Sequence, residues 1–177
     1  MRTYHEQTAR RFHSGKEVEA AVRSGESLEG ADLSGLNLSG MDLSGADLGG
    51  ARLSGADLSG TQLREARLER AMLDHVQAAG ADLSAVRAEF AVFGLADLRQ
   101  ARLEGAGLRR ANLVGVNAEE ANFRGADVYY ARFAAAKLHG ADFTGANVER
   151  TIFRAADIRD ASLRETRGAA NFDRVRK

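Results

Sequence analysis

The sequence predicts an all-β solenoid: a four-sided coil of twenty residues, stacked about seven times, with a short α-helix capping its N-terminal end. Three observations predict it. From Glu26 to Glu165 one five-residue phrase, small–polar–Leu–small–Gly, recurs 28 times in unbroken register, most plainly in Gly30–Gly60. The central position holds 17 Leu, 5 Phe, 2 Val, 1 Ile and 3 Ala, and the position two before it is Ala in 20 blocks, so each block has two apolar sites to bury. In the three blocks whose centre is Ala (Ala78, Ala88, Ala118), the preceding small site has become Val (Val76, Val86, Val116). Volume lost at one site is returned at its neighbour, as expected for two side chains sharing a close-packed interior.

A period of five fits neither regular element. Five residues turn an α-helix by about 500°, which spreads the apolar positions over every face. In a strand the same step puts successive Leu on opposite sides. The chain must turn a corner once per block, so that each Leu and Ala returns inward. Four corners close a square, and coils stacked at about 4.8 Å give a rod of roughly 30 to 35 Å. Gly closes 13 of the 28 blocks, which suits a corner that needs positive φ.

Three segments follow in order: a cap over 1–25, the coil over 26–165, and a closing turn with a basic tail over 166–177. Within the cap, Ser14-Gly15-Lys16-Glu17 reads as a capping box, Val18, Ala21 and Val22 share a helical face, and Gly25 ends the helix. The helix is expected to lie across the open end of the first coil, with Tyr4 and Phe12 as candidate helpers, because solenoid ends expose apolar rungs and unpaired backbone. At the other end Gly168 stands where a core Leu belongs. Ala170-Asn171-Phe172 then reads as a block displaced by one residue, with Phe172 covering the last coil.

Asp or Asn fills the second position of 14 blocks, among them Asp32, Asn37, Asp82, Asn122 and Asp157. With Ala before and Leu after, the phrase resembles the pentapeptide-repeat family, whose consensus reads A-(D/N)-L-x-x. The resemblance covers 140 of the 177 residues. It implies a right-handed quadrilateral β-helix, and it leaves function open because members of one fold do different work.

Composition excludes several classes. Lys+Arg and Asp+Glu balance at 25 each, so no global charge draws the chain to nucleic acid or anionic lipid. There is no Cys, hence no disulfide and no thiolate metal site. No long apolar core marks a signal peptide or membrane span, which makes the cytoplasm the expected compartment. Catalytic patterns fail on inspection: His5-Glu6-Gln7-Thr8-Ala9 lacks the second ligand of a zinc-protease motif, and Ser14-Gly15-Lys16 lacks the upstream Gly of a phosphate loop. The block carboxylates are expected to point outward into solvent, with no cleft to tune them. The chain therefore reads as a non-enzyme with no catalytic residues, no cofactor and no metal.

Function is sought on the faces. The side centred on Leu33, Leu53, Leu73, Phe93, Leu113, Phe133 and Phe153 carries outward Met72, Val92, Leu95, Val114, Ala134, Ala135 and Ile152. At its preceding corner run Arg70, Phe90, Arg110, Tyr130 and Arg150, with Tyr129 alongside, positioned to stack as a cation–π ladder. Arg70, Phe90, Val92, Leu95, Arg110, Val114, Tyr129, Tyr130, Arg150 and Ile152 are thus the candidate interaction residues, for a protein partner or a second copy. The opposite face is polar and somewhat acidic, with Asp57, Asp97, Glu119, Glu120, Asp157 and Asp160 against Arg99, Lys137 and Arg159. The resemblance also implies an alternative. Some family members mimic DNA, bind gyrase or topoisomerase IV, and confer resistance to quinolones or a natural toxin. The repeat's 21 acidic and 16 basic residues are less one-sided than a duplex mimic requires.

Overall fold

The computed structural model describes residues 9–177. Tyr4 and the His5-Glu6 pair lie outside the described residues. Residues twenty apart are paired by parallel bridges all along the rod, from Asp32 with Arg52 to Asn147 with Arg167. The chain forms the expected right-handed quadrilateral β-helix. Its sides are too short to be regular strands. Each instead offers a few bonds to the coil below, such as Leu33 N–H to Arg52 O at 2.8 Å, Gly35 N–H to Ser54 O at 3.0 Å and Asp57 N–H to Leu36 O at 2.9 Å.

The corner explains the period. Within each block the central residue's carbonyl accepts from the N–H three residues on, as in Ala31 N–H to Leu28 O at 3.0 Å. The fifth residue of every block has positive φ, and in 15 of the 28 blocks that residue is not Gly. Positive φ at the third position of such a turn marks type II, the turn that the five-residue step repeats. The structure thus extends the glycine expectation to every corner, at a steric cost wherever a side chain is present.

Core positions fall as the sequence requires. Val76, Ala78, Val86, Ala88, Val116 and Ala118 are all buried, so both members of each exchanged pair face inward. Thr61 and Thr151, buried at small-residue sites, donate their hydroxyls to Leu38 O and Val128 O at 2.8 Å. In the C-terminal half, Phe133 packs edge-on to Phe123 and Phe143 at 5.6 Å, and Phe143 stacks on Phe123 at 4.6 Å. These contacts cross the interior and show which sides oppose. The side centred on Phe123 and Phe143 faces the side centred on Phe133. The acidic side of Asp57, Asp97 and Asp157 is therefore not opposite the apolar face, as the sequence reading placed it. It is the next side in the chain, because consecutive blocks occupy consecutive sides.

The helix α1 spans Gly15–Arg23. Ser14 Oγ accepts from Glu17 N–H at 3.3 Å, and the Glu17 carboxylate accepts from His13 N–H at 3.0 Å, one residue earlier than a capping box places it. Gly25 closes the helix at φ +74, with Gly25 N–H to Val22 O at 3.0 Å and Glu26 N–H to Ala21 O at 2.9 Å, the two bonds of a Schellman motif. Val18 and Ala21 are buried. A Cβ on Gly15 would come within 2.6 Å of Asn37 O and 2.4 Å of the end of Met41, so helix and first coil meet backbone to backbone. Leu36 and Met41, where later coils carry the smaller Ala, Val or Thr, help fill the space under this cap. Phe12 is buried as well, and its N–H donates to Asp32 O at 3.1 Å, laying residues 10–12 along the first coil.

The C-terminal slip is also present: Ile152 pairs with Asn171 and Asp157 with Arg176, nineteen residues apart. Gly168, at φ +89, absorbs it, and Phe172 stacks on Phe153 with centroids 5.1 Å apart. Leu163, Phe172 and Val175 remain partly exposed, so this end is covered less fully than the first. Among the described residues no helix is long and apolar enough to cross a membrane.

Candidate interaction surface

The block carboxylates need a correction first. They do not simply point into solvent: all 14 Asp and Asn at the second position accept the N–H two residues on, as in Asp32 from Ser34 at 3.1 Å and Asp142 from Thr144 at 2.8 Å. Asp82 is buried while doing so. A side chain that satisfies a backbone donor beside each corner is an Asx turn, which explains why Asp and Asn recur there. Many are also ion-paired along the rod, for example Arg99–Asp97 at 2.6 Å, Arg109–Asp127 at 2.9 Å and Arg159–Asp157 at 2.7 Å.

These contacts set the acid response. The Arg159 guanidinium, then the Arg159 N–H, hold Asp157 down to about 2, and Arg99 lowers Asp97 in the same way. A carboxylate depressed in the folded state stabilises it fully above its unfolded value, about 3.9, and that contribution is lost as pH falls through the folded value. The urea midpoint should therefore stay flat from pH 7 to about 4.5 and fall between about pH 4 and 2. Asp157→Asn, which keeps the acceptor but not the charge, should shallow that fall. An unchanged slope would mean that these pairs do not contribute.

The candidate surface is built on one corner. Its tip residues are Gly30, Gly50, Arg70, Phe90, Arg110, Tyr130 and Arg150, one per coil, each with φ between 57 and 66. Four large apolar side chains are exposed among the described residues, namely Met72, Phe90, Leu95 and Tyr130: Phe90 and Tyr130 are tips of this corner, Met72 lies on the side that follows it, and Leu95 is a tip of the corner at that side's far edge. Leu95 is 60 % exposed and lies over Gly115, where a Cβ would meet its Cδ2 at 2.7 Å. Val92, Val114, Ile152 and Tyr129 are half-buried, so they offer flat apolar area, while Arg70, Arg110 and Arg150 are exposed.

The expected continuous ladder is instead two separate pairs. Arg110 lies over Phe90 at 5.5 Å and Arg150 over Tyr130 at 5.9 Å. Beside them Arg109 lies over Tyr129 at 4.7 Å while held by Asp127, and this pins Tyr129 down. Each ring has one guanidinium neighbour, and Tyr130 also meets Tyr129 with centroids 5.7 Å apart.

Sequence reasoning missed a groove of about 470 Å³ at the N-terminal end of the same corner. Gly30, Gly49 and Gly50 contribute to it no side chains, and Glu69, Arg70, Glu89 and Phe90 stand around them. The signal was present: Gly49-Gly50 joins a rare Gly at the fourth position to one at the fifth. No group of His, Cys, Asp or Glu among the described residues has the arrangement of a metal site.

The chain matches the profile of pentapeptide repeats over 24–60, 51–87, 91–128 and 131–167. It belongs to the pentapeptide-repeat family. Among solved pentapeptide-repeat structures it is similar to HetL, involved in heterocyst differentiation regulation in the cyanobacterium Nostoc sp. strain PCC 7120, at 32 % identity over 85 % of this chain and 72 % of that one, with a TM-score of 0.46. A protein of the Arabidopsis thaliana thylakoid lumen shares 30 % identity over 69 % of this chain and 71 % of that one, with a TM-score of 0.38. QnrB1, a plasmid-mediated fluoroquinolone resistance protein, shares 21 % over 78 % of this chain and 84 % of that one, with a TM-score of 0.49. None of the curated proteins matches this pentapeptide-repeat chain in sequence.

Proposed function

We propose that this pentapeptide-repeat protein is a non-catalytic scaffold that binds another protein chain through the aromatic corner and the apolar side that follows it. The observation that carries this reading is the segregation of exposed apolar side chains. Met72, Phe90, Leu95 and Tyr130 gather on one side of the rod and the two corners that bound it. Scattered surface apolars are ordinary, but a contiguous set rimmed by Arg, with Tyr and Met in it, has the composition of an interface. The type II corner needs only a residue that tolerates positive φ, so nothing in the repeat demands rings there.

The DNA-mimic alternative finds less support in the charges. In the block column Asn37, Asp57, Gln77, Asp97, Asn117, Lys137, Asp157 no two carboxylates stack on adjacent coils, and Arg99 and Arg159 neutralise Asp97 and Asp157. A phosphate mimic needs the reverse, unpaired anions in close succession. Gyrase supercoiling with a quinolone, unchanged by excess protein, is the expected result.

The triple variant Phe90→Ser, Leu95→Ser, Tyr130→Ser tests the scaffold reading. These side chains are 43 %, 60 % and 44 % exposed, so the β spectrum should survive, while association with a partner or a second copy should weaken by about tenfold or more. Sedimentation and pull-down measure it. Unfolding of the variant, or association that survives unchanged, would remove this corner from function.

A further inference from the structure

The four corners of the rod differ in charge. At the tip position the aromatic corner carries Arg70, Arg110 and Arg150 and no acid, and the next corner carries only His75. The remaining two carry Glu120 with Asp160, and Glu65 with Glu165. Among the described residues Arg70 and Arg110 have no carboxylate within 4.0 Å, and Glu69 and Glu89 beside them reach Arg67, Arg87 and Arg109 instead. Arg150 lies 3.9 Å from Glu149, which leaves Arg70 and Arg110 as the unpaired positive charge on the edge that exposes the rings, and a partner bearing carboxylates complements them.

The spacing along this edge is fixed by the coil. Arg70, Arg110 and Arg150 recur every second coil, and Phe90 and Tyr130 do the same one coil out of step, a repeat of about 9.6 Å for each set. A polyproline II helix repeats every three residues at 3.1 Å per residue, about 9.3 Å per turn. An α-helical heptad advances about 10.5 Å and drifts by nearly 1 Å per repeat. In a β-strand a three-residue step reverses the face. Exposed aromatic rings are also what a proline-rich chain in this conformation docks on.

We infer that the aromatic corner binds a partner segment in polyproline II conformation that carries a carboxylate at every third residue, with its prolines against Phe90 and Tyr130 and its carboxylates on Arg70, Arg110 and Arg150. The inference rests on the reading of this edge as an interaction surface and adds the chemistry of the partner. A segment already extended loses little entropy on binding a rigid edge.

The test uses fluorescein-labelled twelve-residue peptides and the full chain, read by anisotropy. The tyrosine emission of a protein with three Tyr and no Trp serves as a second signal. The probe is (Pro-Pro-Glu)4. It is compared with (Gly-Ser-Glu)4, of equal charge but flexible, and with (Pro-Pro-Lys)4. Binding of the first should exceed that of either control by about tenfold, and Arg110→Gln or Tyr130→Ser should each weaken it by about fivefold or more. Glu65→Gln, on an acidic corner, should leave it unchanged. Equal binding of the flexible acidic peptide, binding of the Lys peptide, no binding at millimolar concentration, or indifference to Arg110→Gln and Tyr130→Ser would each overturn the inference. If the triple serine variant loses whole-protein association while the acidic proline peptide fails to bind, the surface stands and the proposed partner chemistry falls.

Discussion

Phe143→Ala is expected to cost about 3–5 kcal/mol, and to cost it locally. Phe143 is 1 % exposed, stacks on Phe123 at 4.6 Å, and meets Phe133 and Phe153 edge-on at 5.6 and 5.5 Å. Truncation removes three aromatic contacts at once and leaves a cavity that two parallel walls of backbone cannot close. In a solenoid each coil contacts only its neighbours, so the loss falls on the last coils. Urea unfolding of the variant should therefore broaden or split. Limited proteolysis near the first midpoint should leave an N-terminal fragment, whose coils are packed by Leu and capped by α1. A single transition, shifted but equally steep and with no resistant fragment, would show that the rod unfolds as one unit and that the Phe cluster is not a separate source of stability.

The core was legible because burial acts on every coil alike. One inward Leu or Phe and one inward Ala recur at a fixed interval, and the exchange of Val86 for Ala88 could be read without coordinates. The C-terminal slip was legible for the same reason, since Gly168 cannot fill a core site. The role of the block carboxylates was not. Polarity alone says that Asp82 avoids the core, whereas its bond to the Ser84 N–H depends on the backbone conformation of the corner. The helix cap was read correctly at Ser14 and Gly25, but the companion changes Leu36 and Met41 went unused, although they are the larger apolar residues that replace Ala in the first coil. Opposition of sides was misread because a linear projection shows neighbours along the chain, not partners across the interior. The ladder at the aromatic corner was half legible: the column was visible, but which guanidinium covers which ring depends on side-chain placement, and for Arg109 over Tyr129 that placement is fixed by Asp127.

Gly125→Val should destabilise the rod by about 2–3 kcal/mol, although there is room for the side chain. Gly125 has φ +65, and a Cβ built on it meets nothing within 4 Å. The cost is therefore backbone conformation alone: a β-branched residue is poorly accommodated in the left-handed region that the corner requires. The sequence agrees, because none of the 28 corner tips is Val, Ile or Thr, while Arg, Glu, Phe and Tyr are all accepted there. Gly94 supplies the control. It sits one position earlier in its block, outside the positive-φ region, and its Cβ would likewise meet nothing within 4 Å. Gly94→Val should thus be neutral within about 0.5 kcal/mol, or mildly stabilising through the reduced freedom of the unfolded chain. Thermal or urea midpoints of the two variants, measured side by side, separate space from conformation. Equal effects would mean that the corners tolerate any backbone preference, and that their occupancy by unbranched residues has another cause.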